Sequence, residues 1–315
     1  MISLRYHVLS IAAVFLALAV GVVLGSTTLS GNLLSGLAGD KRDLASQVAD
    51  LEAERTELRA RLADADSFAG SVGPRVVSGR LDKRTVVMVT SHDVKPSERD
   101  ALTGLIKSSG AKIAGEIQLT PEFSDPEKSD QLSEIATRLQ PSGAKFPTSG
   151  GPGTLAGALL GQVLLLDGKS AEPQASSDER DAALAGLTDG GFIQVNGDVR
   201  PAQLAMVHIG GKPKGNGIGD RAATIARFAT QLDKSGAGAV LAGRTSAAGS
   251  AGSIGVVRAD TAAADVLSTV DNVHTAAGRV VSVLALREQL EGASGRYGTA
   301  GNAEGPAPGV KSSGS

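Results

Sequence analysis

Residues 8–24 read VLSIAAVFLALAVGVVL, an uncharged apolar run close to the N-terminus of this 315-residue chain. As an α-helix, these residues rise about 25 Å, and residues 25–29 extend the helix across a hydrocarbon core of about 30 Å. The run therefore predicts a transmembrane signal anchor over residues 8–29.

The charges around the run predict its orientation. Arg5 and His7 precede it, and the next basic residue is Lys41. The positive-inside rule then places residues 1–7 in the cytoplasm and the bulk of the chain outside a single-pass cell-membrane anchor. A cleaved signal peptide is the alternative, with small residues near the cut at Gly25. The run is longer than a typical signal core, which favours the anchor, and both alternatives export the rest of the chain.

A heptad repeat follows over residues 33–66, where leucines recur every seven residues at the position labelled d. Such spacing winds two helices into a left-handed coiled coil, although Lys41 and Arg55 occupy seam positions and weaken it. The predicted coiled-coil interface consists of Leu34, Leu37, Leu44, Val48, Leu51, Leu58 and Leu62.

The charges that flank the seam favour a parallel homodimer. Glu54 precedes Arg59 by five residues and Arg61 precedes Asp66 by five, which are the spacings that attract across a parallel seam. Two alternatives remain: a single amphipathic helix that lies on its own globular domain, and a docking surface for another protein's helix.

Composition excludes several classes of function. The chain has no cysteine, so disulfides, cysteine–metal sites and thiol nucleophiles are ruled out. A net charge of −2 gives no electrostatic basis for nucleic-acid binding. Aromatic residues are 3% of the chain, which does not suit the aromatic girdles of an outer-membrane barrel.

The sequence after the heptad repeat predicts three segments. They are a hinge at 67–80, an extracytoplasmic α/β domain with a mostly parallel sheet at 81–291, and a disordered tail at 292–315. Apolar strand-like runs alternate there with helical periodicity. The expected strands are 85–90, 112–119, 192–195, 204–209, 237–242, 253–257 and 267–270. The expected helices are 97–107, 126–139, 154–166, 178–187, 220–233 and 276–290.

A glycine-rich loop at 210–219 lies between an expected strand and an expected helix. Strand, glycine loop and helix N-terminus form the general arrangement that binds phosphate. A dinucleotide fingerprint needs a third glycine where Asp220 stands, and Asp220 is better interpreted as a helix N-cap. The loop is therefore predicted to be a flexible surface segment.

A second motif, Gly168-Lys169-Ser170, resembles the end of a P-loop. A P-loop also needs a glycine five residues before Gly168, and position 163 is valine, so a P-loop is rejected.

The four histidines, at positions 7, 92, 208 and 274, have no metal-ligand spacing. His208 falls in an apolar strand and is predicted to be a core residue with satisfied hydrogen bonds. His92 follows the first buried strand, where open α/β sheets bind ligands, and is a weak metal candidate.

No nucleophile elbow or carboxylate pair is present in the sequence. We predict no catalytic residues, no cofactor and no enzymatic activity.

Several segments resemble the mycobacterial copper transport protein family, MctB. They are residues 2–7 (ISLRYH), 12–26 (AAVFLALAVGVVLGS), 268–271 (STVD), 278–286 (GRVVSVLAL) and 295–298 (GRYG). The resemblance implies an actinobacterial envelope protein for copper efflux or homeostasis, which the family label places in the outer membrane, with copper the only metal implied.

A related branch, SteB, is described as a partner of the membrane protein SteA in septal cell-wall processes during cell division. The alternative function is therefore a membrane-anchored coiled-coil scaffold with a SteA-like partner. The residues themselves do not favour a copper site, because cuprous copper prefers thiolate and thioether ligands, the chain has no cysteine, and Met88 and Met206 both lie in expected core strands.

Overall fold

The computed structural model describes residues 4–143, 146–147 and 150–310, except for the side chains of Leu4, residues 26–40 and Arg42. Within it the chain forms two compact units, residues 1–65 and 66–315. Two residues of the predicted interface, Leu34 and Leu37, lie outside the described side chains.

The first unit is built from helix α1, Leu4–Val77, which continues into the second unit. Residues Arg5–Gly25 of α1 are long and apolar enough to cross a membrane, and their side chains are exposed. The predicted N-terminal apolar helix is confirmed. An anchor and a signal sequence share this pattern, so the choice between them stays a prediction.

The described heptad residues of α1 are solvent-exposed in the single chain. Relative exposures lie between 47% and 70% for Leu44, Val48, Leu51, Leu58 and Leu62. Arg61 pairs with Glu57 one turn away in the same helix, at 2.5 Å. The coiled coil therefore stays a prediction. The apolar stripe that these five residues form is exposed to solvent in the single chain.

The hinge predicted at 67–80 is wrong as a break in secondary structure, because α1 runs through it to Val77. The small residues there serve close packing. A Cβ added at Gly73 would lie 2.8 Å from Val280 Cγ2, and one at Gly70 would lie 3.6 Å from Ala276 Cβ. The Asp66 carboxylate accepts the Ala276 N–H at 2.5 Å.

The second unit contains one twisted sheet flanked by helices, which confirms the α/β fold. Its strands are β1 Thr85–Ser91, β2 Lys112–Leu119, β3 Ile193–Asn196, β4 Leu204–His208, β5 Ala239–Ala242, β6 Ser268–Val270 and β7 Arg296–Tyr297. Their order is β3-β2-β1-β4-β5-β6-β7. Every pairing is parallel except the antiparallel pair β2–β3.

Helices cover both faces of this sheet. They are α2 Pro96–Ser108, α3 Ser129–Arg138, α4 Pro152–Leu164, α5 Ser177–Asp189, α6 Ile218–Asp233, α7 Ser253–Ala259, α8 Thr261–Ala264 and α9 Ala276–Leu290. Odd-numbered residues of β1 and β4 pack in one core with α3 to α7, and even-numbered ones pack with α2, α9 and the end of α1. Coverage on both sides explains why these strands read as continuous apolar runs.

One predicted strand, 253–257, is wrong, because those residues begin helix α7. The segment is short and buried on most sides, with Ser253, Ile254, Gly255 and Val257 all buried. A short apolar run that is buried all round has no periodicity that distinguishes a strand from a helix.

The predicted disordered tail is also wrong for its described residues. Arg296–Tyr297 pairs with β6, and Tyr297 is buried. The Arg258 guanidinium donates to the Tyr297 carbonyl and to Asn302 Oδ1, each at 2.8 Å. The Gly- and Ala-rich composition suggested disorder because it does not reveal these long-range contacts. Residues 311–315 lie outside the described part.

Candidate functional site

A cleft of about 1030 Å³ opens at the carboxyl ends of the central strands. The chain runs from β1 to β2 on one side and returns to β4 on the other, so β1 and β4 flank the point where strand order reverses. Open α/β sheets bind ligands at such a switch point. The cleft is lined by residues 91–93 and 95 at the end of β1, residues 119–121 and 124 at the end of β2, residues 209 and 211–215 after β4, and residues of α6 and of the loop after β5.

Asp93 holds the loop after β1 against the loop after β4. Its two carboxylate oxygens accept the N–H groups of Gly210 and Gly211, each at 3.3 Å. Ser91 Oγ donates to the same carboxylate and accepts the Gly210 N–H at 3.1 Å. A Cβ at Gly210 would overlap Asp93 Oδ2, so any other residue there would displace the Asp93 carboxylate from the glycine loop.

The glycine loop turns back into helix α6. Lys212 N donates to Ser246 Oγ at 3.2 Å, which ties this loop to the one after β5. Gly215 and Gly217 adopt positive φ values of 89° and 64°, a conformation that favours glycine. Gly217, rather than Asp220, is the N-cap of α6, and the predicted Asp220 cap is wrong by three residues.

Five cationic side chains line the cleft, and acidic partners engage two of them. Arg221 Nη2 pairs with Asp125 Oδ2 at 2.7 Å, and Arg244 pairs with Glu98. A backbone hydrogen bond from Glu127 and the bond from Arg221 lower the pKa of Asp125. In the described part of the chain, the other three have no ion pair: Lys95, Lys212 and Lys214.

The predicted metal candidate His92 is exposed and lies on the wall of this cleft. Across the residues that the structure describes, no group of three or more His, Cys, Asp or Glu side chains could hold a metal ion. Acidic and imidazole ligands therefore do not gather around His92.

His208 is buried at the end of β4, but the prediction that its hydrogen bonds are satisfied is wrong. Within the described residues, neither ring nitrogen has a hydrogen-bond partner. Burial lowers the pKa of His208 to about 4, so the imidazole is neutral at physiological pH. A buried polar group without a partner is unusual and calls for an explanation.

Two methionines lie on the same face of the central strands as His208. Met88 of β1 and Met206 of β4 are direct partners in the parallel pairing, and both are 0% exposed. Met206 precedes His208 by two residues, so the two side chains project from the same face of β4. The sequence reveals the spacing of Met206 and His208, but Met88 joins them only through the register of strands 118 residues apart in the chain.

Known proteins match this chain over nearly its whole length. A family model described as "Copper transport outer membrane protein, MctB" matches residues 1–308. The copper transporter MctB of Mycobacterium tuberculosis (strain ATCC 25618 / H37Rv) is 37% identical over 304 residues, which cover 95% of this chain and 96% of the relative. The protein of the same name from Mycobacterium leprae (strain TN) is 37% identical over 306 residues, with the same coverage.

Proposed function

Because this chain belongs to the MctB copper transport family, we propose that it takes part in copper efflux or copper homeostasis at the cell envelope, without enzymatic activity. The observation that supports this most is the extent of the match, since residues 1–308 include the apolar helix, the heptad repeat and all seven strands of the sheet. Copper would be the cargo of this protein rather than a resident cofactor.

The chemistry of copper narrows the choice of ligands. Cuprous copper prefers thiolate and thioether sulfur, and imidazole also suits copper. This chain has no cysteine and three methionines. We infer that Met88, Met206 and His208 form the cuprous copper ligands, because two thioethers and a neutral imidazole share one face of β1 and β4. A bound ion would give the His208 ring the partner that it lacks.

Titration of the purified full-length chain in detergent tests this set, with cuprous copper delivered from a chromogenic chelator under anaerobic conditions. We expect one ion per chain. The double variant Met88→Leu/Met206→Leu should weaken binding by at least about 100-fold, because it removes two of the three ligands. Leucine nearly conserves the volume of methionine, so the fold should be retained.

The matched control is His92→Ala, which removes the exposed imidazole of the cleft and should leave copper affinity unchanged. Circular dichroism of each variant checks its folding. If the wild-type chain binds no cuprous copper, or if only His92→Ala weakens binding, then Met88, Met206 and His208 are not the ligands. The second outcome would move the copper site to the cleft.

The proposed location is a single-pass cell-membrane anchor with the N-terminus in the cytoplasm and the bulk of the chain outside. Support comes from the apolar helix at Arg5–Gly25 and from Arg5 and His7 at its start. The family description names the outer membrane.

A second candidate function is a coiled-coil scaffold with a SteA-like membrane partner in septal cell-wall processes. One observation favours it: the described heptad residues Leu44 to Leu62 form an apolar stripe that the single chain leaves exposed. Burying such a stripe against a second helix is favourable. We propose that the stripe first pairs two copies of this chain as a parallel homodimer.

Light scattering on the full-length chain in detergent should give the protein mass of a dimer. Leu51→Glu/Leu58→Glu places charges at two seam positions and should produce a monomer. Ala53→Glu/Ala60→Glu adds the same charge on the opposite side of the helix and should remain a dimer. A monomeric wild type, or dissociation by both double variants alike, would exclude a homodimer formed through this stripe.

A further inference from the structure

We propose that the cleft at the β1/β4 switch point binds a phosphorylated organic molecule, with Lys95, Lys212 and Lys214 as the side chains that contact its phosphoryl group. This proposal does not rest on the copper proposal, because none of Met88, Met206 and His208 lines the cleft. Four observations about the described residues support it.

The first observation is the charge of the cleft. Five cationic side chains line it: Lys95, Lys212, Lys214, Arg221 and Arg244. They meet three carboxylates, Asp93, Asp125 and Glu98, which leaves two net positive charges. The pairs Arg221–Asp125 and Arg244–Glu98 satisfy both arginines, so the unpaired charge belongs to the three lysines. A cleft lined by one sign of charge attracts ligands of the other.

The second observation is that the one carboxylate on the cleft wall is already engaged. Both oxygens of Asp93 accept loop N–H groups, from Gly210 and Gly211, and Ser91 donates to it as well. The carboxylate therefore acts as a support of the glycine loop. It neutralises only one of the five positive charges.

The third observation is the start of α6, a helix of 16 residues whose residues Ile218 and Arg221 line the cleft. Its N-cap, Gly217, has no side chain, and no side-chain cap satisfies the N–H groups of the first turn. These donors and the positive end of the helix dipole favour an anion. Asp220 in the same turn opposes this effect, but it is not among the residues that line the cleft.

The fourth observation is the size and floor of the cleft. At about 1030 Å³ it is far larger than one phosphate, and it matches the pockets that hold drug-sized molecules. Leu119, Ile209 and Ile225 give it an apolar part beside the lysines. An organic group attached to the phosphoryl group would fill that part. A soluble metabolite and a lipid headgroup share this chemistry.

Isothermal calorimetry on the full-length chain in neutral detergent tests the proposal with three probes: inorganic pyrophosphate, a nucleoside diphosphate and short-chain dihexanoyl phosphatidic acid. We expect saturable binding of at least one probe, weakened by added salt. The variant Lys212→Gln/Lys214→Gln should weaken that binding by at least about tenfold, because it removes two of the three unpaired charges. Binding of the phosphatidic acid alone would identify a lipid headgroup as the source, and binding of the soluble probes would identify a metabolite.

The control variant Lys107→Gln/Lys112→Gln removes the same charge at the end of α2 and the start of β2, where both lysines are exposed. It should bind like the wild type. Two results would overturn the proposal: no saturable binding of any probe, or equal weakening by the two double variants, which would mean that only net charge matters. Both variants change surface residues, so circular dichroism should show unchanged folding.

Discussion

Replacing Asp271 with alanine should lower the free energy of unfolding of the α/β unit by about 3–5 kcal/mol. Asp271 is fully buried, and its Oδ2 lies 2.8 Å from Nη1 of Arg258, which is itself buried. Removing one partner of a buried ion pair leaves the other charge uncompensated in a medium of low dielectric constant. Chemical denaturation followed by far-ultraviolet circular dichroism measures the loss.

The same carboxylate also binds the C-terminal segment. Asp271 Oδ1 accepts the N–H groups of Thr299 and Ala300 at 2.8 and 3.2 Å. Hydrogen exchange at these two amides should therefore accelerate in Asp271→Ala by more than in the sheet core. If the segment were disordered, as its composition predicts, these amides would exchange rapidly in the wild type as well.

The matched control is Asp198→Ala, which breaks an ion pair of the same length on the surface. Asp198 Oδ2 lies 2.8 Å from Nε of Arg200, and both side chains are more than 70% exposed. Exposed pairs contribute about 0–1 kcal/mol, so this variant should be nearly neutral. A loss below about 1 kcal/mol in Asp271→Ala would show that Arg258 and Asp271 do not hold the segment.

Some parts of this fold could be predicted from the sequence alone, and the ordered C-terminal segment could not. Strands β1 and β4 are evident from their own residues, because strands buried on both faces are apolar almost throughout. The order of α1, a mostly parallel sheet and intervening helices follows from such local patterns. The ordered C-terminal segment depends on Arg258 and Asp271, which lie far from it in the chain, and no local pattern reveals them.

The same distinction holds for the functional residues. From the sequence, His92 could be placed at the ligand-binding end of the sheet, because open α/β sheets bind ligands at the carboxyl ends of their strands. The loop after β4 was predicted to be a surface segment, because the reversal of strand order between β1 and β4 is visible only in the structure. Which lysines converge there could not be predicted, because they come from loops after different strands. The pairing of Met88 with Met206 required the register between β1 and β4. The unpartnered ring of His208 required the positions of all its neighbours.

A further large effect is expected at Gly157, where leucine should destabilise the α/β unit by about 3 kcal/mol or more. Gly153, Gly157 and Gly161 recur every four residues on α4 and face α6. A Cβ at Gly157 would lie 2.7 Å from the Phe228 carbonyl oxygen and 2.9 Å from Gln231 Cβ. Since the first contact is with backbone, the two helices would have to separate.

The variant Gly157→Ala distinguishes the steric effect of an added Cβ on stability from its effect on helix propensity. Alanine favours an α-helix over glycine by about 1 kcal/mol, so in the absence of a steric clash Gly157→Ala would stabilise the protein. The control is Gly104→Ala in α2, where an added Cβ has nothing within 4 Å. We expect Gly104→Ala to raise the denaturation midpoint and Gly157→Ala to lower it. If both variants raised the midpoint, α4 and α6 would not be in the close contact that their glycines allow.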